Sequence, residues 1–183
     1  SVTVSVRPTN DPQSQENKIK ETLVKDPLRN PLFVKAVHKG IKESLLSGVL
    51  SGFSVIGLEI EILALAYDDD SDEVAFQIAA NFAIRQAIQK AKAILLEPVM
   101  RLEVILPDTY SSNVIADLNT RGAKVLNIGV KTDQQVIEAH VPLAGMFGYS
   151  TSIRSLTQGR ANYTMKFAHY QQVSASVQKA ITG

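Results

Sequence analysis

Met100-Arg101-Leu102-Glu103-Val104-Ile105-Leu106, and the chain that follows it to Phe167, decides the fold. The seven residues read as a strand. Ser111 to Leu118 then reads as a short helix, bounded by Arg121-Gly122. Val125 to Val130 and Gln135 to Val141 read as strands joined by a turn near Lys131-Thr132-Asp133. A second helix is expected from about Ala144 to Leu156, ending near Gly159, and Ala161 to Phe167 closes the unit as a strand with alternating apolar positions. Strand–helix–strand–strand–helix–strand is the split βαβ order of a ferredoxin-like domain.

Upstream, Val2, Val4 and Val6 alternate with Thr3 and Ser5, the period of a strand with one buried face. Asn10 to Lys20 is polar, contains Pro12 and reads as a loop. Asn30-Pro31 opens a helix in which Phe33 or Val34, Val37, Ile41 and Leu45 recur at helical spacing. Gly48 stands where a left-handed cap is expected. A strand from Val55 to Tyr67 sets Leu58, Ile60 and Ile62 against Glu59 and Glu61. The acidic loop Asp68 to Glu73 then feeds a helix with the stripe Phe76, Ala80, Ile84, Ala87, Ile88, Ala91 and Leu95, ended by Pro98. The fold class is therefore α+β. It has two domains: 1–96, 97–170 as the ferredoxin-like unit, and 171–183 as a tail dispensable to the core.

With 183 residues, 45% hydrophobic and 20% charged, the composition is that of a globular chain. Each domain has a core of modest size. The net charge of +1 gives no global field, and the split before Glu97 leaves 11 basic and 12 acidic residues, then 8 and 6. Any nucleic-acid contact must come from local patches and shape. The absence of cysteine removes disulfides and thiol chemistry, and suits a reducing compartment. No apolar run reaches the length of a membrane span, and no targeting segment is visible. The opening Ser1-Val2-Thr3-Val4 already alternates like a strand, as the middle of a longer protein would.

Literal residues carry the reading further. Leu95-Leu96-Glu97-Pro98-Val99-Met100-Arg101-Leu102-Glu103-Val104 resembles the junction between the fourth and fifth domains of the elongation factor G family. Val141-Pro142-Leu143, Met146-Phe147-Gly148-Tyr149-Ser150-Thr151, Arg154-Ser155-Leu156-Thr157, Gly159-Arg160-Ala161 and Tyr163-Thr164-Met165 are similar to that family's fifth-domain signature. Ala36-Val37-His38-Lys39-Gly40-Ile41, with Gly48, Leu50 and Gly52, resembles its fourth-domain helix and turn.

The resemblance implies a finger like a truncated ribosomal protein S5 domain 2 fold, incomplete at its N-terminus, followed by a ferredoxin-like domain near the GTPase-activating centre of the ribosome. GTP and its Mg would belong to an N-terminal domain, since nothing here matches G-x-x-x-x-G-K-[ST]. The chain itself is then expected to be no enzyme, a monomer with no membrane contact, acting in protein biosynthesis.

The family's second tip loop usually carries a histidine–aspartate pair. This chain has Ala66-Tyr67-Asp68-Asp69-Asp70-Ser71-Asp72, one residue shorter, with Asp68 where the histidine would sit. Added carboxylates beside tRNA and mRNA phosphates repel them. The loop therefore leans towards the branch specialised for ribosome recycling, similar to the mitochondrial ribosome-releasing factor (the second organellar elongation factor G). That branch implies the mitochondrial matrix, or else a bacterial cytoplasm, and a ribosome recycling factor as partner. Translocation remains the alternative. A stand-alone RNA-binding or ligand-regulatory ferredoxin-like module is the second.

The ribosome-contact candidates are Asp68, Asp69 and Asp70 at the loop, Lys35, Lys39 and Lys42 on one helix face, and Arg154 and Arg160 flanking the last helix. Each has a plainer reading. Asp68, Asp70 and Asp72 echo a calcium loop, but Glu73 replaces its glycine and Ala79 its glutamate, so Asp70 and Glu73 read better as a capping box. The lysines make a solvated face, and Arg160 a charge at a helix C-terminus. Tyr149 and Tyr163 are packing aromatics or stacking platforms. His38, His140 and His169 show no ligand spacing, Ser150, Ser152 and Ser155 have no evident base, and Gly48, Gly52 and Gly57 make no phosphate-binding fingerprint.

Overall fold

A computed structural model describes residues 1–11, 14–22, 30–66, 68, 70–131 and 133–182. The chain divides into two compact units, residues 1–95 with 174–183, and residues 96–173. Both are α+β.

The first unit has a three-stranded sheet of β1 (Val2–Pro8), β2 (Lys18–Glu21) and β3 (Leu58–Leu65), in the order β1-β3-β2. β1 runs antiparallel to β3 and β2 parallel to it. On one face lie α1 (Pro31–Leu46) and α2 (Glu73–Lys90). Their apolar stripes, Val34, Val37, Ile41 and Leu45 against Phe76, Ala80, Ile84 and Ile88, enclose a core with Ile60 and Ile62 of β3. Each fully buried isoleucine contributes about 1.5–3 kcal/mol. Asn30 caps α1 by accepting the Leu32 N–H at 3.0 Å, and Pro31 fills the first turn as its fixed φ allows.

Several expectations change here. The polar stretch before Lys20 ends in a strand, β2, because a parallel partner needs only Ile19 to face inward. β3 is shorter than Val55–Tyr67. The Asn17 side chain ties Val55 and Leu58 by donating to the Val55 carbonyl at 2.6 Å and accepting the Leu58 N–H at 3.0 Å. Gly48 is no left-handed cap; instead, a Cβ there would lie 2.6 Å from the Phe53 carbonyl oxygen. α2 ends at Lys90, well before Pro98, and Lys92 takes the left-handed conformation. Pro98 lies inside a strand, opposite Tyr170.

The second unit is a four-stranded antiparallel sheet of β4 (Leu96–Leu106), β5 (Lys124–Lys131), β6 (Gln134–Pro142) and β7 (Asn162–Gln172), ordered β5-β6-β4-β7. α3 (Ser111–Thr120) and α4 (Tyr149–Leu156) cover one face. This is the ferredoxin-like arrangement expected from the sequence. Leu102, Val104, Leu106, Ile137 and Val141 meet Val114, Leu118, Tyr149 and Ile153 in its core. The helix expected from Ala144 breaks in two: Leu143–Met146 is a 3₁₀ turn, and α4 begins only after Gly148. The segment set apart as a tail contains the end of β7 and then α5 (Ala175–Thr182), which groups with the first unit. There the Ser51 hydroxyl donates to the Ile181 carbonyl at 3.0 Å, and Gln178 accepts the Leu95 N–H at 3.1 Å.

Candidate functional site

The charged residues singled out in the sequence are exposed wherever they are described. In the first unit, α1 turns Val34, Val37, Ile41 and Leu45 inward, which leaves Lys35, Lys39 and Lys42 exposed. His38 faces sideways to Glu21, 2.7 Å away.

At the loop between β3 and α2, Asp68 and Asp70 are exposed, while Asp69 lies outside the described residues. Asp68 accepts the Ser71 hydroxyl at 2.8 Å, and its own N–H donates back to Ser71 Oγ at 3.1 Å. The cap of α2 is Asp72, whose carboxylate accepts the Ala75 N–H at 2.6 Å. The cap thus lies two residues beyond the Asp70 expected, and with Ala75 at the third position it is a simple cap rather than the expected capping box. Among the described residues no three His, Asp or Glu side chains converge as a metal-holding group.

On the open side of this sheet Glu59 accepts from Arg7 at 2.9 Å and Lys20 at 3.2 Å, and those hydrogen bonds hold its carboxyl below the usual range.

In the second unit the surface is built around a side chain that is not among the candidate residues. Arg121, just after α3, donates from Nε to Asp117 at 2.8 Å, from Nη1 to the Gly145 and Phe147 carbonyls at 2.7 and 3.3 Å, and from Nη2 to Ser152 Oγ at 2.8 Å. Its guanidinium lies 5.1 Å from the centre of the Tyr149 ring. One fork thus fixes the turn between β6 and α4. Phe147 is left 81% exposed at the apex while Tyr149 is 1% exposed beneath it. Tyr149 is therefore packing, its ring edge-on to Tyr163 at 5.1 Å, and burial pushes its phenol up.

Arg154 projects from α4, and Arg160 from the turn beyond it, both exposed. That turn is closed by the buried Thr157, whose hydroxyl donates to the Ile153 carbonyl at 2.6 Å and accepts the Ala161 N–H at 3.2 Å. Between α4 and β7 lies a shallow groove of about 300 Å³, lined by Ser150, Arg154, Gly159, Asn162 and Tyr163. Arg154 borders this groove, and Arg121 braces the turn that leads into α4. The one local signal for Arg121 is its i, i+4 spacing from Asp117; its acceptors at Gly145 and Ser152 lie 24 and 31 residues away.

On the face of this sheet away from its helices, His140 and His169 meet edge-on at 5.2 Å, a pairing invisible in the linear spacing. Partial burial, then the nearby His169, Arg101 and Lys124, holds the His140 pKa below its ordinary 6.5. The folded state therefore binds this proton less readily than the unfolded one. Stability is unaffected above about pH 6.5 and falls as the pH drops below it. Urea midpoints measured between about pH 7.5 and 5.5 are expected to decline, and His140→Gln to flatten that decline.

Two family models match the chain: one described as Elongation factor G, domain IV, over residues 2–92, and one as Elongation factor G C-terminus, over residues 94–181. Elongation factor G of Thermotoga neapolitana is 46% identical over 150 residues, covering 81% of this chain and 22% of that protein. A crystal structure of a protein from Thermus thermophilus matches with a TM-score of 0.86 at 31% identity, covering 99% of this chain and 27% of that one. The chain thus spans less than a third of the length of either relative.

Proposed function

The chain belongs to the elongation factor G family, as its domain IV and C-terminal domain, and from that premise we propose that it is the ribosome-docking part of a translational GTPase. The observation that supports this is the in-order match of both domains, with exposed charge carried on well-packed elements. Docking of this kind needs shape and charge rather than covalent chemistry. GTP and Mg would act in a preceding domain, and Lys35, Lys39, Lys42, Arg154 and Arg160 would face rRNA.

Within the family we propose the recycling role, in which the finger separates subunits beside a bound recycling factor, in the mitochondrial matrix, with the protein a monomer. Support comes from the exposed Asp68 and Asp70 on the loop before α2, which disfavour a berth among tRNA and mRNA phosphates. The relative named Elongation factor G keeps translocation as a second reading.

The intact parent separates the two. It is expected to split post-termination ribosomes with recycling factor and GTP while moving tRNA poorly, and Asp68→His is expected to raise translocation several-fold. Efficient translocation by the unaltered parent defeats the recycling role.

A further inference from the structure

Strand register brings basic residues from all four strands of the second unit into one line. Lys124 of β5 pairs with His140 of β6, His140 with Arg101 of β4, and Arg101 with Lys166 of β7. Their chain neighbours Val125, Leu102, Val141 and Met165 pack in the core, so alternation points the row to the opposite face, away from α3 and α4. Lys124 and Lys166 are exposed, and the Arg101 side chain is 61% exposed. In the next line along the strands, Asn127, Glu138, Glu103 and Thr164 are paired in the same way. Glu138 holds Arg101 in place at 2.8 Å.

We propose that this open sheet face is a docking surface for the phosphate backbone of RNA, additional to the loop surface at Arg154 and Arg160. The inference rests on the ribosome-docking reading and deepens it. Three strand gaps of about 4.8 Å make a row roughly 14 Å long whose positive charge rests on Lys124, Arg101 and Lys166, with His140 held towards its neutral form between them. A nucleic-acid strand carries one charge per ~3.4 Å of axis, so the row meets several phosphates in succession, whereas a compact anion would engage only one or two of these side chains.

Recognition here is of backbone rather than base. Tyr163 and Phe167 of β7 pair with Val104 and Met100 and so face the helices, and among the described residues the open face offers only the His140–His169 pair as rings. The surface therefore lacks the stacking platform by which sheet domains read single strands. The flanking Glu103 and Glu138 set one border of the phosphate track.

The test uses the 183-residue chain and a fluorescein-labelled RNA hairpin with a stem of about 12 base pairs, followed by anisotropy across a salt series. Lys124→Gln/Lys166→Gln is expected to weaken binding about tenfold and to lower the salt slope by about two. Glu138→Gln, which frees Arg101, is expected to tighten binding about threefold; a purely structural ion pair would give no gain. Arg154→Gln/Arg160→Gln reports separately on the loop surface. If that pair loses binding while the sheet variants match the parent chain, the sheet proposal falls and the docking reading stands. If the unaltered chain does not bind the hairpin, both fall. Polyglutamate that competes as well as RNA at equal charge overturns the choice of partner.

Discussion

Gly40→Ala is expected to destabilise the first unit by about 2 kcal/mol, although helix propensity alone predicts a gain of about 1 kcal/mol. Gly40 lies in the middle of α1, where it crosses α2, and a Cβ placed on it would stand 2.2 Å from the Gln77 carbonyl oxygen and 3.1 Å from the Ala80 Cβ. The first obstacle is backbone, which cannot rotate away as a side chain would. The helices must therefore part, and the contacts of the fully buried Val37, Ile41, Ala80 and Ile84 loosen together. Lys39→Ala, one residue away on the exposed side, is expected to change stability by less than about 0.5 kcal/mol. Urea denaturation followed by circular dichroism decides the matter. A Gly40→Ala chain as stable as its parent would show that α1 and α2 do not cross so closely.

Arg121→Met is expected to cost the second unit about 3 kcal/mol. The substitution preserves the length of the stem while removing every donor of the fork. The Asp117 carboxylate loses its partner, and the Gly145 carbonyl and Ser152 hydroxyl lose theirs. Both ends of the Arg121–Asp117 pair are largely shielded, with side chains 16% and 21% exposed, so solvent screening discounts the loss only in part. Arg121→Lys is expected to recover less than half of it, since an ammonium cannot reach Asp117, the turn carbonyls and Ser152 at once. Hydrogen exchange at the amides around Phe147 should accelerate in Arg121→Met before the strands of the sheet open. A loss below about 0.5 kcal/mol would mean that the turn holds its shape without the fork.

The sequence displays periodic features well and through-space features poorly. Val34, Val37, Ile41 and Leu45, or Ile60 and Ile62, announce their buried face because neighbours in the chain alternate in polarity. The ferredoxin-like order of the second unit is legible for the same reason. β2 is not: four residues, Lys18 to Glu21, bury only one apolar side chain, too little for a pattern. The true cap at Asp72 was hidden among five nearby acids, any of which could have served. Of the candidate residues, Lys35, Lys39 and Lys42 are exposed where helical spacing places them, while Arg154 projects from α4 and Arg160 from the turn beyond it. The Arg121 fork, the His140–His169 pair and the basic row across the sheet exist only once strands from distant stretches of chain are laid side by side.

β4 and β7, the first and last strands of the second unit, are neighbours, with Leu96 opposite Gln172. That unit is accordingly a cassette spliced into its host, entering and leaving through one doorway. Once it has folded, the gap it imposes on the surrounding chain is a single strand spacing rather than a long open coil, so closing the interrupted host across it costs little entropy. The same adjacency makes the cassette transplantable: a short turn could replace it, or another protein's surface loop could receive it, without either partner being pulled apart.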